Sequence, residues 1–105
     1  SQSVVGEYAK RPFDDCACSK LFLGVDGIDI PFGITTTDIR EAELNKVMMR
    51  AAQKVIVLAD SSKFNRRGFS KIADLDDVDL IITDAGISPV LRNSLEERGI
   101  ELIIA

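Results

Sequence analysis

The chain has 105 residues, of which 46% are hydrophobic and 29% are charged, and it carries a formal net charge of −4 at pH 7. This length predicts a single domain with a packed core. The acidic balance supplies no basic surface for phosphate backbones, so the chain itself is not expected to bind nucleic acid. No apolar run reaches the roughly 18–20 residues of a membrane span and no signal peptide is recognisable, which predicts a cytoplasmic protein with no membrane partner.

The residues available for chemistry are limited by the absence of histidine. Histidine is the commonest general base near neutral pH, so any acid–base catalysis would have to use carboxylates, lysines or Tyr8. Cys16 and Cys18 are the only cysteines, and with one residue between them they are poorly placed for an unstrained disulfide. Without histidine or a third cysteine they do not complete a zinc-type site. We therefore predict neither a metal nor a cofactor.

The first third of the chain contains one predicted helix and one predicted strand. Pro12 can occupy the first position of a helix, which favours a short helix from about Pro12 to Cys18. The apolar run Leu21–Asp26 predicts the first strand. The following segment, Gly27–Gly33, is punctuated by glycine and proline and is predicted to be a loop, a place where binding residues tend to gather.

A long helix and a second strand are predicted next. Asp38 is a suitable helix N-cap, and Glu41 three residues later completes a capping-box pattern, so the helix is expected to run from Asp38 to about Gln53. Asn45 and most charged residues fall on its polar side, and the apolar stripe at helical spacing comprises Ile39, Ala42, Leu44, Val47, Met48, Ala51 and Ala52. Residues 54–60 form the second predicted strand, closing a right-handed βαβ unit.

Residues 61–77 are ambiguous from the sequence. Phe69, Ile72 and Leu75 recur at intervals of three, which favours an irregular or short helical crossing. Asn65 and Gly68 tolerate a positive φ and are expected to mark turns. The strongly acidic segment 74–79 is expected to be solvated.

The last third predicts a strand, a helix and a strand. Residues 78–84 form the third strand. A helix is then expected to begin with Ser88 as N-cap and Pro89 at the first position, and to end at Gly99. Its inner face is expected to comprise Val90, Leu91 and Leu95. Residues 100–105 form the fourth strand.

The apolar runs show no alternation, which is typical of parallel strands buried on both faces. We therefore predict an α/β fold, a partial Rossmann-like three-layer domain with a mainly parallel sheet and strands near 21–26, 54–60, 78–84 and 100–105. Three of these runs end on Asp26, Asp60 and Asp84. Ligands bind beyond the carboxyl ends of such strands. An acidic edge with Lys63 beside it suits a hydroxyl-rich or phosphorylated small molecule.

Two segments carry most of the predicted site. Asp26 and Asp29 can accept hydrogen bonds from sugar hydroxyls and Gly27 allows close backbone approach, although an ordinary strand-end turn explains all three equally well. In Asp60–Ser61–Ser62–Lys63, Lys63 can act as a cation for phosphate and Ser61 offers a hydroxyl and a backbone donor. The alternative for this second segment is a turn held by a local ion pair between Asp60 and Lys63.

Other candidates have stronger structural explanations. Glu41 can face the crevice while also capping its helix. The Thr35–Thr37 segment precedes that helix, where backbone N–H groups attract anions. Arg66 and Arg67 can reach a phosphate, but paired arginines in polar loops are usually solvated.

The ordered set of motifs resembles the effector-binding domain of DeoR/GlpR-family transcriptional regulators, from about Gly6 to the end of the chain. One departure is Asn65, where the family usually has glycine, and asparagine tolerates similar backbone angles. The stretches that carry the resemblance are Phe22–Asp29, Gly33–Thr36, Glu41–Glu43, Leu58–Phe64 and Leu80–Asp84.

The resemblance implies a sensor for a phosphorylated sugar or related metabolite, with a fold similar to ribose-5-phosphate isomerase, whose own Asp-x-Ser-Lys stretch lines its active site. It implies a repressor that binds operator DNA through an N-terminal winged helix-turn-helix and forms a homo-oligomer. Neither that element nor the early Asp-x-Gly-Thr-Thr loop of the family is recognisable here, so we expect the later part of a sensor domain. The implied ligand-binding residues are Asp26, Gly27, Asp29, Glu41, Asp60, Ser61 and Lys63.

Three hypotheses of different classes follow. The first, and preferred, is a non-enzymatic sensor module whose effector shifts its conformation or assembly. The second is a phosphosugar isomerase-like enzyme fragment with Asp29 or Glu41 as the base. The third is an assembly module whose acidic edge is only solvated surface.

Overall fold

The computed structural model describes residues 18–105, with side chains from residue 20 onward, as two sheets and two helices. The helices are α1 (Ile39–Ala51) and α2 (Pro89–Glu97), and short 3-10 helices cover Ser61–Lys63 and Leu75–Asp77. The strands are β1 (Cys18–Gly24), β2 (Gly27–Asp29), β3 (Gly33–Thr36), β4 (Ala52–Leu58), β5 (Ser70–Ala73), β6 (Leu80–Thr83) and β7 (Glu101–Ile104).

The larger sheet has four parallel strands in the order β1-β4-β6-β7. This confirms the predicted α/β class and the mainly parallel sheet, with strands close to the predicted ranges. Because β1, β4 and β6 are parallel neighbours, their carboxyl ends lie on one edge. The predicted strand-end aspartates follow directly beyond these ends.

The smaller sheet is antiparallel, in the order β2-β3-β5, and the sequence did not predict it. The loop predicted over residues 27–33 contains β2 and the start of β3, and the crossing predicted around Ile72 is β5. The reason is burial: Ile28, Ile34 and Ile72 are almost completely buried, and they hold these short strands against the core. Phe69, which the three-residue spacing groups with Ile72 and Leu75, is 82% exposed.

Turn positions are partly as predicted. Asn65 has φ of 59°, as expected for a turn residue. Gly68 is not among the described residues with positive φ, whereas Gly33 (φ +124°) and Gly99 (φ +84°) are. Gly33 needs this conformation to turn from β2 into β3, where an added Cβ would also clash with the Ala73 carbonyl oxygen.

Helix α1 begins as predicted but buries a different stripe. The Asp38 carboxylate accepts a hydrogen bond of 2.8 Å from the Arg40 N–H. The buried residues are Ala42, Asn45 and Met48, while Ile39 is 59% exposed. The prediction was wrong for Asn45, because the helix face that contacts β1, β3 and β5 runs through Ala42, Asn45 and Met48. It was wrong for Ile39, which is the first residue of the helix and precedes this buried stretch.

Helix α2 has the predicted ends. The Ser88 hydroxyl accepts a hydrogen bond of 3.2 Å from the Leu91 N–H, and Pro89 is the first residue of the helix. Leu95 is fully buried, but Val90 is 75% exposed. Val90 was wrongly placed inside because only the Leu91–Leu95 line, at four-residue spacing, faces the sheet.

One hydrophobic cluster joins the two sheets and both helices. Its most buried residues are Leu23, Ile34, Val57, Ile81 and Leu95. No helix within residues 18–105 is long and apolar enough to cross a membrane. The same range contains no group of three or more potential metal-ligating side chains. Cys16 and the predicted helix over residues 12–18 lie outside the described residues, apart from Cys18, which begins β1.

Candidate functional site

Three aspartates and one lysine gather at the carboxyl edge of the parallel sheet. Asp26, Asp60 and Asp84 follow β1, β4 and β6. The charge of Lys63 acts on both Asp26 and Asp60, and the charge of Asp84 acts on Asp60. We call these four residues the acidic rim.

Asp26 holds the start of the segment that leads into α1. Its Oδ2 accepts hydrogen bonds from the Thr37 N–H (2.9 Å), the Thr36 hydroxyl (3.0 Å) and the Thr37 hydroxyl (3.3 Å). The Thr37 N–H lowers the pKa of Asp26 most strongly, and the threonine hydroxyls and the nearby Lys63 charge lower it further. Burial, the second-largest effect, partly opposes this decrease. The backbone donor predicted to attract an external anion before α1 therefore already binds a carboxylate of the protein.

Asp60 acts as the N-cap of the 3-10 helix over Ser61–Lys63. Its carboxylate accepts hydrogen bonds from the Ser62 hydroxyl and from the Ser62 N–H, the latter at 2.9 Å. These bonds, the hydroxyl first, lower the pKa of Asp60. Asp60 thus shapes the turn that presents Lys63 at the rim.

Asp84 connects two neighbouring loops of the rim. Its carboxylate accepts hydrogen bonds from the Ser61 N–H (3.0 Å) and the Gly86 N–H (2.8 Å). These donors, with Ser61 first, lower the pKa of Asp84. Gly86 packs so closely that an added Cβ would lie 2.5 Å from the Ser61 hydroxyl oxygen. The Ser61 backbone donor proposed for a ligand is therefore occupied by Asp84.

Lys63 differs from the carboxylates in having no close partner. Its side chain is half-buried. Within residues 18–105 it forms no ion pair within 4.0 Å and no side-chain hydrogen bond, while its charge still acts on Asp26 and Asp60. The local Asp60–Lys63 ion pair, the structural alternative for this segment, is not formed. An ammonium group has three N–H donors, so Lys63 offers the rim an accessible cation.

Glu41 reaches the rim through Thr36. The Thr36 hydroxyl lies 3.3 Å from Glu41 Oε1 as well as 3.0 Å from Asp26. A hydroxyl has one proton, so it donates to one of these carboxylates at a time. Glu41 is exposed on the first turn of α1, which places a fourth carboxylate beside Asp26.

Asp29 belongs to a different environment. Its carboxylate accepts a hydrogen bond of 2.8 Å from Arg67 Nε, and its side chain is 18% exposed. The Arg67 guanidinium also lies 4.6 Å from the centre of the Phe32 ring. No hydrogen bond or ion pair in the described part of the chain joins Asp29 to the acidic rim. Its assignment to the ligand site therefore stays a prediction, and its visible partner is Arg67.

Gly27 is required by packing between chain segments. A Cβ at this position would lie 2.5 Å from the Arg66 carbonyl oxygen and 2.6 Å from the Thr35 hydroxyl oxygen. That hydroxyl donates to the Gly27 carbonyl (3.3 Å) and accepts from the Gly68 N–H (2.6 Å). The space beside Gly27, which the sequence predicted to admit a ligand, is filled by the protein's own backbone and the Thr35 hydroxyl. The side chain of Arg66 is exposed.

The donors that organise the rim are not apparent from the sequence. The sequence predicts Thr36 and Thr37 only as a site for an external anion, and it predicts no role for Gly86. Thr36 and Thr37 lie 10 and 11 positions after Asp26, and Gly86 lies two positions after Asp84. The sequence feature that indicates these donors is the occurrence of small and hydroxyl-bearing residues just before α1 and just after β6.

A cavity of about 600 Å³ lies at the opposite edge of the parallel sheet. It adjoins Val55 near the start of β4 and Asp79 just before β6, and Lys46, Arg50 and Lys71 contribute its positive charges. The Asp79 carboxylate in that region accepts a hydrogen bond of 2.7 Å from the Val55 N–H, so this residue of the acidic segment is not simply solvated. The cavity provides a second location against which binding at the rim can be tested.

Comparison with known proteins identifies the family. Residues 1–85 match the model of the DeoR C terminal sensor domain. The chain is 41% identical over 104 residues to a putative aga operon transcriptional repressor of Escherichia coli O157:H7, covering 99% of this chain and 39% of that protein. It is 33% identical over 103 residues to the HTH-type transcriptional regulator GlpR of Haloferax volcanii, covering 98% and 40%.

A third relative is the transcriptional repressor AccR of Agrobacterium fabrum, 29% identical over 106 residues, covering 100% of this chain and 41% of that protein. The chain thus spans about 40% of the length of these relatives. The family match covers most of the chain, as the ordered motifs predicted. The chain belongs to the DeoR family of transcriptional regulators and corresponds to its C-terminal sensor domain.

Proposed function

We propose that this chain is the effector-sensing part of a transcriptional repressor and that it binds a phosphorylated sugar or related metabolite at the acidic rim. The observation that carries the proposal is Lys63, a half-buried cation without a close partner in the described structure. It lies among carboxylates at the sheet edge where ligands of open α/β folds bind. The names of the relatives support the regulatory part of the proposal.

The rim residues have complementary tasks in this proposal. Each carboxylate has further lone pairs beyond those used inside the protein, and these can accept hydrogen bonds from sugar hydroxyls. Lys63 donates to an anionic group or hydroxyl of the effector. Asp26, Asp60 and Asp84 also fix the loops that carry Lys63, Ser61 and the start of α1.

The effector would act by shifting a conformational equilibrium. It must bind one state of the regulator more tightly than another, and the difference in affinity sets how far DNA binding changes. In the longer protein, an N-terminal winged helix-turn-helix would contact the operator, and a homo-oligomer would present two such elements. Asp26 and Glu41 share the Thr36 hydroxyl next to α1. An effector that forms a hydrogen bond with either carboxylate would change this shared contact and thereby the start of the helix.

Hydrogen bonding, rather than proton transfer, fits the chemistry of the three rim aspartates. The pKa values of Asp26, Asp60 and Asp84 all lie below their ordinary value because backbone and hydroxyl donors stabilise the ionised form. A general base works best with a pKa near the working pH. These three aspartates are therefore suited to accepting hydrogen bonds and are poor general bases.

Calorimetric titration of the intact regulator tests the proposal. Pentose and hexose phosphates are compared with their unphosphorylated parent sugars and with inorganic phosphate, for wild type and for Lys63→Gln. A charge-assisted hydrogen bond contributes about 1.5–3 kcal/mol, so Lys63→Gln should weaken the best sugar phosphate by roughly 10- to 100-fold.

The matched control is Lys46→Gln. Lys46 is also a lysine near carboxylates, paired with Glu43 at 3.1 Å, but it borders the cavity at the opposite edge. Unchanged affinity in Lys46→Gln together with the loss in Lys63→Gln supports the rim. The reverse pattern moves the site to the cavity, and no binding of any sugar phosphate by wild type contradicts the proposal.

A further inference from the structure

An exposed aromatic ring lies beside the segment that leads into α1. Phe69 is 82% exposed, the highest value of any large apolar residue within residues 20–105. A single exposed apolar side chain is common on protein surfaces, so the surroundings of this one decide what it means. Three features of those surroundings relate Phe69 to the acidic rim: its backbone anchors, its neighbours and its uncovered ring.

The backbone on both sides of Phe69 is anchored to β3. The Gly68 N–H donates to the Thr35 hydroxyl at 2.6 Å, and Ser70 begins β5 as the partner of Thr36. Gly68 lies so close to β3 that an added Cβ would be 2.9 Å from the Thr36 carbonyl oxygen. The exposed ring therefore stands on a fixed backbone, which lowers the conformational entropy lost when it binds a ligand.

The same pairing brings Phe69 next to the carboxylates around Asp26. Continuing the antiparallel register of β3 and β5 by one residue sets Phe69 opposite Thr37, and opposite residues of such a pair extend to the same side. Thr37 donates to Asp26 from both its N–H and its hydroxyl. The hydroxyl of the preceding Thr36 is shared by Asp26 and Glu41. Phe69 thus borders two carboxylates that have lone pairs left for a ligand.

The ring of Phe69 is uncovered, unlike the ring of Phe32 near the same small sheet. The Arg67 guanidinium lies 4.6 Å from the centre of the Phe32 ring, and the Lys71 ammonium lies 5.0 Å from it. Cations of the protein itself therefore already contact the π surface of Phe32. Within residues 20–105 no such contact involves Phe69, whose ring faces stay available.

The apolar area around Phe69 suits a small molecule. Of the exposed large apolar residues in the described chain, only Ile39, 59% exposed, accompanies it at the start of α1. Two side chains provide far less than the roughly 800 Å² that each partner contributes to a stable protein interface. A flat aromatic face beside a few convergent polar groups is instead typical of a ligand site.

A cyclic sugar matches this combination of groups. A sugar ring carries hydroxyl groups around its edge and C–H groups on its faces. The face of an aromatic ring has a negative partial charge, so it attracts the weakly positive C–H groups of a sugar. The neighbouring carboxylates accept hydrogen bonds from the hydroxyl groups.

We infer that the effector binds as a closed sugar ring, with one C–H face stacked on Phe69 and its hydroxyl groups directed to Asp26 and Glu41. This inference rests on the proposed function and adds a selectivity to it. An open-chain sugar phosphate has the same charge and comparable hydroxyl groups, but it has no flat C–H face. Phe69 is therefore a specificity-determining residue that favours ring forms over linear forms.

Calorimetric titration of the intact regulator tests the inference with two probes. They are the best-binding cyclic pentose or hexose phosphate and the open-chain alditol phosphate with the same number of carbon atoms. Covering one ring face recovers about half of the free energy of burying a phenylalanine side chain, so Phe69→Ala should weaken the cyclic probe by roughly 4- to 12-fold. The affinity for the alditol phosphate should change by less than about twofold, since that probe has no ring to stack.

Further variants distinguish a flat ring from apolar bulk. Phe69→Tyr keeps the aromatic face and should retain the preference for the cyclic probe, whereas Phe69→Leu should lose it. Phe32→Leu is the matched control and should leave the preference unchanged, because cations of the protein already contact that ring. Phe69 is exposed, so its variants should melt at the wild-type temperature, which shows that a change in affinity is not a loss of folding.

Four results overturn the inference. They are an unchanged affinity of Phe69→Ala for the cyclic probe, equal weakening of both probes, a retained preference in Phe69→Leu, and a lower molecular mass of Phe69→Ala in light scattering. The last result would identify a second copy of the chain as the cover of the ring.

The proposed function has a separate readout in the same titrations. Lys63→Gln should weaken both probes alike, because both carry the phosphate. Weakening in Lys63→Gln with no effect of Phe69→Ala leaves the proposed function standing and removes only the role of Phe69. Absence of binding of either probe by wild type contradicts both.

Discussion

Removing the Asp26 carboxylate tests how the acidic rim is held together. In Asp26→Ala, the Thr37 N–H, the Thr37 hydroxyl and the Thr36 hydroxyl lose their common acceptor. The Thr36 hydroxyl can turn to Glu41, which already lies 3.3 Å away. Thr37 is exposed, so water can solvate its donors. The net loss is therefore smaller than the sum of three hydrogen bonds.

Hydrogen bonds to charged groups contribute about 1.5–3 kcal/mol each to stability, and compensation by Glu41 and water places the total for Asp26→Ala near the lower limit, about 1.5 kcal/mol. For a domain of this size, that corresponds to a decrease of roughly 6–12 °C in Tm. Asp26→Asn keeps an acceptor oxygen but loses the charge, and we expect it to lose about half as much.

The pH dependence of stability distinguishes the contribution of the Asp26 charge from that of its hydrogen-bonding geometry, which Asp26→Asn largely keeps. Because the folded-state pKa of Asp26 lies below its ordinary value of 3.8, the unfolded chain binds more protons between these two values. The stabilisation is therefore fully present above the ordinary value and is lost as the pH falls through the folded-state pKa. The difference between wild type and Asp26→Asn should persist from neutral pH to about pH 5 and shrink below about pH 4.

Urea unfolding followed by circular dichroism measures these differences, with Glu97→Gln, an exposed carboxylate on α2, as the control for general charge effects. The m-value should stay constant, so that midpoints report stability. The reasoning is refuted if Asp26→Ala is as stable as Glu97→Gln. It is also refuted if the advantage of wild type over Asp26→Asn remains undiminished in acid.

Three further predictions concern backbone packing, helix capping and a buried hydroxyl. Gly27→Ala should lose about 2 kcal/mol because its methyl group would meet two oxygen atoms, whereas Gly24→Ala, with nothing within 4 Å, should stay within about 0.5 kcal/mol of wild type. Ser88→Ala should lose about 1 kcal/mol with its N-cap, unlike Ser94→Ala inside the same helix. The Thr83 hydroxyl is buried without a partner among the described residues, so Thr83→Val should be neutral or stabilise by up to about 1 kcal/mol. Urea unfolding measures the stability of each variant. Equal stability of the two glycine variants or of the two serine variants contradicts the corresponding prediction, and a marked loss of stability in Thr83→Val contradicts the third.

The parallel sheet was predictable because its strands are apolar on both faces. Ile56 and Val57 lie on opposite faces of the sheet and both are buried, so β4 has no alternation to suggest an antiparallel, half-solvated strand. The antiparallel sheet was not predictable in the same way. Its strands have only three or four residues, which is too few to show a two-residue hydrophobic period. In the sequence, Gly27 and Gly33 are typical of a loop, and only the structure shows that they pack against Arg66 and Ala73.

The strand-end position of the rim aspartates followed from local sequence, but their partners did not. Asp26 contacts Thr37 across 11 positions and Asp84 contacts Ser61 across 23. Such pairings depend on how the loops fold over the sheet edge. The same limitation affected Lys63, for which the sequence suggested Asp60 as a local partner, whereas Asp60 instead caps its own 3-10 turn through Ser62.

The charge balance of the rim constrains how the proposed effector would lie on it. Three carboxylates and one ammonium leave an excess of negative charge, and the low pKa values of Asp26, Asp60 and Asp84 keep that charge at neutral pH. A phosphate placed among the carboxylates would be repelled, since like charges a few ångströms apart destabilise each other. An effector should therefore direct its hydroxyl groups to the carboxylates and its phosphate towards Lys63. Any further cation that the phosphate requires would have to come from outside the rim, which is why Lys63→Gln is best measured in the intact regulator.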